Sequence, residues 1–251
     1  MTATLIRAAD RHFWNNEWLT SRQSFPGTGN FDIFAGAHGV LAMHNDDEVV
    51  AGEGLDSHQH RNMEIVTWVV EGAVEHRDSS GHTETIAAGS VGAMTAGRGI
   101  RHAEGNANDR ASGQKLRVVQ MWVPPHADEL EPDHSARDFT AELASGDPVV
   151  VVSGRAAHAD TPALRIQNRF AALHIARPHA GQTITLPGSP FGHLYVVRGE
   201  IRVDDPDLPE SLTVGDAVRL ADSGDLTLTA SSDAEIVYWE MHAEFDVPRP
   251  A

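Results

Sequence analysis

Short runs of β-branched and aromatic residues, each closed by a turn of Gly, Asp, Asn or Ser, recur from end to end of this 251-residue chain. Clear runs are Ile65 to Val70, Leu116 to Val123, Val149 to Val152, His193 to Val197 and Glu235 to Met241. Turns include Glu71-Gly72, Ser80-Gly81 and Ala88-Gly89. Many short strands at close spacing specify an all-β sandwich or barrel. Helical periodicity is confined to a short stretch, Ala136 to Ala144. The strand pattern breaks at Pro124 to Pro132, where proline cannot continue a central strand and Asp128, Glu129 and Glu131 keep the segment wet. The expected layout is an N-terminal barrel over 1–125, a linker over 126–146 and a C-terminal barrel over 147–251.

The two halves echo each other. Val69-Val70-Glu71-Gly72-Ala73-Val74 is matched by Val196-Val197-Arg198-Gly199-Glu200-Ile201. Downstream, Ile86-Ala87-Ala88-Gly89-Ser90-Val91 is matched by Leu212-Thr213-Val214-Gly215-Asp216-Ala217. Two matches in order and at similar spacing favour a duplicated barrel.

Composition excludes several kinds of chemistry. The chain has no cysteine, so disulfides, zinc-thiolate sites, iron–sulfur clusters and thiol catalysis are ruled out. Net charge is -17, which argues against general nucleic-acid binding, because counterion displacement needs a basic surface. Lys115 is the sole lysine among the basic residues. The N-terminus lacks a signal-peptide pattern, and no apolar stretch is long enough for a membrane span, so a cytoplasmic protein is expected.

The sharpest chemical feature is His58-Gln59-His60. Residues i and i+2 of a strand point to one face, so two imidazoles can chelate one ion side by side. Further on, Gly97-Arg98-Gly99-Ile100-Arg101-His102-Ala103-Glu104 repeats the spacing with His102 and Glu104, behind a glycine turn. Two such strands facing each other deliver three imidazoles and a carboxylate, a set that suits Fe(II) and also Mn, Co, Ni, Cu or Zn. Without thiolates, and with a coordination position left open, the site reads as catalytic or sensory rather than structural. Glu64, four residues after His60, is a rival carboxylate on the same expected face. Among the 15 histidines, His76, His82, His126 and His134 lie among polar or turn residues and are expected at the surface. His44 is expected in a turn beside Asn45-Asp46-Asp47.

These residues match known motifs. Gly52, His58-x-His60 and Glu64 resemble the first cupin motif, and Gly97-x-Gly99-x-x-His102-x-x-x-Asn106 the second, with Gly97 at a usual proline. More narrowly, the chain resembles the pirin family through Asn45-Asp46-Asp47, HQHRNMEIVTWVVEGAVEHRDSSG (58–81) and MTAGRGIRHAEGN (94–106). The strong part of the match runs from Asn45 to Pro125. The resemblance implies two jelly-roll-like cupin barrels in tandem, with one metal, usually iron, in the first. Its ligands would be His58, His60, His102 and Glu104, leaving Glu64 in the pocket or behind the ligands. Gln59 replaces a common proline and Ala103 a common serine, and neither change removes a ligand. Aligning the glycines of the two halves puts Thr185, Pro187, Leu228 and Ala230 at the ligand positions of the second barrel, which is therefore expected to hold no metal. His174, His179, His193 and His242 lack paired spacing and are expected to be structural or exposed.

The family resemblance implies a metal-dependent dioxygenase that cleaves quercetin-type flavonols with O2, with Glu104 as both ligand and proton acceptor. Arg98 or Arg101 would orient an anionic substrate or, more simply, form a surface ion pair. The alternative is a metal- or redox-sensing regulatory protein with a protein partner and no turnover, and a weaker third reading is another small-molecule cupin reaction. No direct contact with nucleic acid or membrane is expected under any of these.

Overall fold

A computed structural model describes residues 2–25, 36–204, 208 and 211–245. In the first half the strands are β1 (Thr2–Ile6), β2 (His12–Asn15), β3 (Leu19–Gln23), β4 (Met43–Val49), β5 (Gly54–His60) and β6 (Glu64–Glu71). They are followed by β7 (Ala73–Asp78), β8 (Thr83–Ala87), β9 (Ser90–Thr95), β10 (Ile100–Asn106), β11 (Leu116–Val123) and β12 (Asp133–Asp138). The second half continues with β13 (Val149–Ser153), β14 (Leu164–Arg165), β15 (Ala171–Ala176), β16 (Thr183–Leu186) and β17 (Phe191–Arg198). It ends with β18 (Glu200–Val203), β19 (Ser211–Thr213), β20 (Ala217–Ala221), β21 (Leu226–Ala230) and β22 (Glu235–Met241). The described helices are single 3-10 turns, and none is long and apolar enough to cross a membrane.

The duplication is written in the topology. Each barrel closes a seven-stranded sheet over a four-stranded one: β12-β9-β6-β11-β4-β3-β2 over β5-β10-β7-β8, and β1-β20-β17-β22-β15-β13-β14 over β16-β21-β18-β19. The two orders correspond position by position up to the last strand, where β2 pairs antiparallel with β3 but β14 runs parallel to β13. They also exchange an edge. β1, at the chain's start, pairs with β20 of the second barrel. β12, inside the connecting segment 126–146, pairs with β9 and fills the same edge in the first. The stretch with helical spacing, Ala136 to Ala144, instead finishes β12 and leads into a 3-10 turn at Glu142–Ser145. Strand pairing overrides the local preference there.

The long apolar runs are strands buried on both faces, which removes the usual alternation. In β6, Val66, Trp68 and Val70 face the other barrel, while Val69 faces its own. In β22, Val237, Trp239 and Met241 face the first barrel, and Ile236 and Tyr238 line the second. The two large sheets thus pack back to back into one shared core. Polar contacts cross it: Trp68 Nε1 donates to Glu235 Oε1 at 2.8 Å, and Arg117, held by Asp46 of its own sheet at 2.7 Å, donates to the Val197 carbonyl at 3.0 Å. Tyr195 donates a further hydrogen bond to Asp46. Trp68→Ala should cost roughly 3–5 kcal/mol by opening a cavity in this core. Urea denaturation of the variant tests it, and a loss under about 1 kcal/mol would mean the barrels do not depend on each other through this side chain.

In the second barrel, Ile184, Leu186, Leu226 and Leu228 are all buried on the strand pair β16–β21. That pair corresponds to β5–β10 of the first barrel, so aliphatic side chains occupy the place where the first barrel carries histidines.

Candidate metal centre

Strand parity assembles the site. On β5, His58 and His60 project to one side and Gln59 to the other. β10 runs antiparallel to β5 with His102 opposite His58 and Ile100 opposite His60. The turn before β10 depends on Gly97, whose φ is 49° and whose missing Cβ would sit 2.0 Å from the Leu130 carbonyl oxygen. No other residue fits that approach.

The three imidazoles converge. Ring centroids are 4.4 Å apart for His58 and His102, 4.8 Å for His58 and His60, and 4.9 Å for His60 and His102. One ligand nitrogen from each lies within 4.8 Å of the other two. His58 Nδ1 is 2.8 Å from the Asp56 carbonyl, which fixes it as the donor and leaves Nε2 free to ligate. His102 is 1% exposed and neither of its ring nitrogens has a hydrogen-bond partner. An orphaned, buried imidazole is costly by itself, and a bound cation would satisfy it. Burial, reinforced by the neighbouring imidazoles, pushes His60 down to about 4. Burial likewise lowers His102 to about 4, although Glu104 pulls the other way. Both are neutral at pH 7, the form in which imidazole binds metal.

Glu104 sits differently from the simple i, i+2 expectation. The β5–β10 register slips between His102 and Glu104, so Glu104 lies opposite Leu55 on one side and His76 on the other. Its carboxylate groups with His102 and His76 rather than with all three histidines of the β5–β10 face. Oε2 accepts from Gln120 Nε2 at 2.8 Å, and Oε1 is 3.9 Å from His76 Nδ1. Burial raises this carboxyl, but His76, His102 and the Gln120 amide outweigh it and hold it at about 2.

Glu64 faces elsewhere. The chain turns between β5 and β6, with Asn62 at a φ of 49°, so four residues do not preserve the face. Glu64 shares the parity of Val66 and Trp68 toward the other barrel. It is fully buried, with Oε2 accepting from Thr95 Oγ1 and from the Gln167 amide, both at 2.9 Å. Burial raises its pKa against those two bonds.

Several placements correct the sequence reading. His44 is not in a turn but fully buried on β4, against His193. His76 is 1% exposed, and the side chain of His134 is 5% exposed. Both point between the sheets because the strands carrying them, β7 and β12, close the barrel around the site. His82 is half-buried and His126 exposed. Arg98 pairs with Glu131 at the surface, and Arg101 donates to the Ser57 carbonyl at 2.8 Å. Gln120 is the residue the sequence reading missed. Of the two polar residues in the run Leu116 to Val123, Arg117 and Gln120, it is the one on the parity that faces the barrel interior. It bonds Glu104 and accepts from Trp122 Nε1 at 3.2 Å. A narrow cavity of about 40 Å³ reaches Glu104 and Gln120 between Trp18, Leu55, Thr67 and Val118.

Comparison with known proteins agrees with this architecture. Residues 7–123 match the Pirin family, and residues 150–241 match the quercetinase C-terminal cupin domain. A Mycobacterium tuberculosis protein named "Putative quercetin 2,3-dioxygenase" is 40% identical over 97% of this chain and 98% of its own. The chain belongs to the pirin family. A pirin-like protein of Caulobacter vibrioides is 32% identical over 88% of this chain and 91% of its own. Among solved structures, Escherichia coli YhhW superimposes with a TM-score of 0.85 at 27% identity, covering 97% of this chain and all of that one. The same bacterial pirin has been solved in complex with nickel(II), with a TM-score of 0.82. The two-barrel cupin architecture expected from the motifs is therefore the fold of this pirin.

Proposed function

We propose that this pirin is a metal-dependent dioxygenase acting on quercetin-type flavonols. The reading rests on one observation above all: three imidazoles with their nitrogens converged beside a half-buried, ionised carboxylate, with His102 lacking any hydrogen-bond partner. In this reading the first barrel binds a divalent transition ion through His58, His60, His102 and Glu104, and the second barrel binds none. The bound ion supplies Lewis acidity that favours the ionised form of the flavonol 3-hydroxyl. Glu104 lies where it can take the proton released. His76 Nδ1, 3.9 Å from Oε1, stands beside it. Gln120 fixes the carboxylate through its 2.8 Å hydrogen bond. Trp18, Leu55 and Val118 give the approach an apolar wall suited to a flat aromatic molecule. The enclosed space of about 40 Å³ holds only a few waters, so substrate entry requires the half-buried Trp18 and exposed Leu55 at the rim to move aside.

The test is aerobic quercetin consumption by protein of measured metal content, followed through loss of flavonol absorbance. Turnover that a chelator stops is the expected result. Metal-loaded protein that leaves quercetin intact would remove the enzymatic reading and favour a regulatory one.

The carboxylate assignment has its own test. Glu104→Gln should weaken metal retention and turnover by roughly tenfold or more, since it removes the anion and keeps the shape. Glu64→Gln should leave the metal in place and lower stability by about 1–3 kcal/mol, through its bonds to Thr95 and Gln167. The opposite order of metal retention would transfer the ligand role to Glu64.

A further inference from the structure

A second group of metal-capable side chains gathers on the far side of His76. His82, just before β8, and Glu84, within it, are two residues apart and share its inward face, as the buried Ile86 does two residues later. His134 approaches from β12 in the opposite sheet. Glu84 Oε2 is the pivot, 3.2 Å from His82 Nε2 and 3.5 Å from His134 Nδ1. One donor atom from each residue lies within 4.8 Å of the other two.

Two features separate this cluster from an ordinary polar contact. The His134 side chain is only 5% exposed, and its Nδ1 has no hydrogen-bond partner, since 3.5 Å to Glu84 is too long for one. His82 and His134 also line a cavity of about 130 Å³, bounded by Asp78, Ser80, Ile100, Pro132 and Asp133. The cavity has room for an ion and its waters. His76 stacks on His134, with centroids 4.2 Å apart and planes at 18°, which holds the imidazole in this orientation.

We propose that His82, Glu84 and His134 form a second site for a divalent transition ion, weaker than the first and open to solvent. Two neutral imidazoles and a carboxylate, with water completing the shell, are a donor set that fits zinc or nickel. The site is weaker because His82 and Glu84 are each over a third exposed or close to it, and must be ordered on binding. It does not depend on what the first site catalyses.

Tag-free, metal-stripped protein is titrated with Zn2+ by equilibrium dialysis, alongside a sample desalted after loading. Wild type should show two classes, one ion that survives desalting and one that does not. His82→Ala and Glu84→Gln should each weaken the second class by roughly tenfold or more while the desalting-resistant ion stays. Both positions are half exposed, so folding is not at stake as it is for His134. The double variant His58→Ala, His60→Ala should show the converse, keeping the weak class and losing the tight one. A single class in wild type under zinc excess overturns the proposal, as does a second class that neither His82→Ala nor Glu84→Gln affects.

Discussion

Replacing His58 and His60 together with alanine is expected to abolish metal retention through desalting and to remove any flavonol cleavage. The change deletes two of the three converged imidazoles and leaves only His102 and Glu104, with His76 beside them. Losing a group that merely supports a ligand typically costs about 10–100-fold in affinity, so losing two direct ligands should exceed that. The fold should survive. His58 and His60 are only partly buried on a strand whose neighbouring positions are exposed, so alanine opens little space in any core. Elemental analysis of the desalted, tag-free variant reads the metal, and an unchanged urea midpoint certifies the fold. Full metal retention by a folded variant would remove these histidines from the site, whatever the activity.

Strand parity explains why so much of this site was legible. Within a single strand, i and i+2 fix a face, and that alone places His58 beside His60 and sets both against His102. Parity fails wherever the chain leaves the strand. The turn at Asn62 sends Glu64 into the contact between barrels, and the slip in β10 moves Glu104 toward His76. A local sequence window carries no record of either event. The same holds for pairing. Nothing in TATLI marks β1 as a strand of the distant barrel, and nothing around Asp133 to Asp138 distinguishes an edge strand from a wet connection. Both were decided by which sheet had an open edge. The buried histidines fail for a related reason. His76 and His134 have polar neighbours in sequence, and in a strand those neighbours point the other way. Glu75, Arg77 and Asp133 take the solvent while the imidazoles turn inward. Gln120 was readable by the same rule, as the one polar residue on the inward parity of an apolar strand.

Acid should destabilise the protein below about pH 6.5, and part of the cause lies away from the candidate metal centre. His44 and His193 are both fully buried between the barrels, with ring centroids 4.6 Å apart. None of their four ring nitrogens has a hydrogen-bond partner. Burial, with Arg11 alongside, pushes His44 down to about 3. Burial, with His44 and nearby cations, drives His193 well below the usual histidine range. The unfolded chain protonates both near about 6.5, whereas the folded chain keeps them neutral. Below that pH the unfolded state therefore binds more protons, and stability falls as pH falls. The contribution is fully present above about 6.5 and is lost progressively toward about 3. At pH ~5 the loss is roughly 2 kcal/mol for each histidine, or about 4 together, against a typical total of about 5–15. Urea midpoints at about pH 7.5 and about pH 5 measure it. The His58→Ala, His60→Ala background keeps release of the tightly held metal out of the comparison. Adding His44→Leu and His193→Leu should shrink the difference between the two pH values by roughly that 4 kcal/mol, whatever the substitutions do to absolute stability. An equal acid loss with and without these two imidazoles would show that the interface between the barrels is not where acid acts.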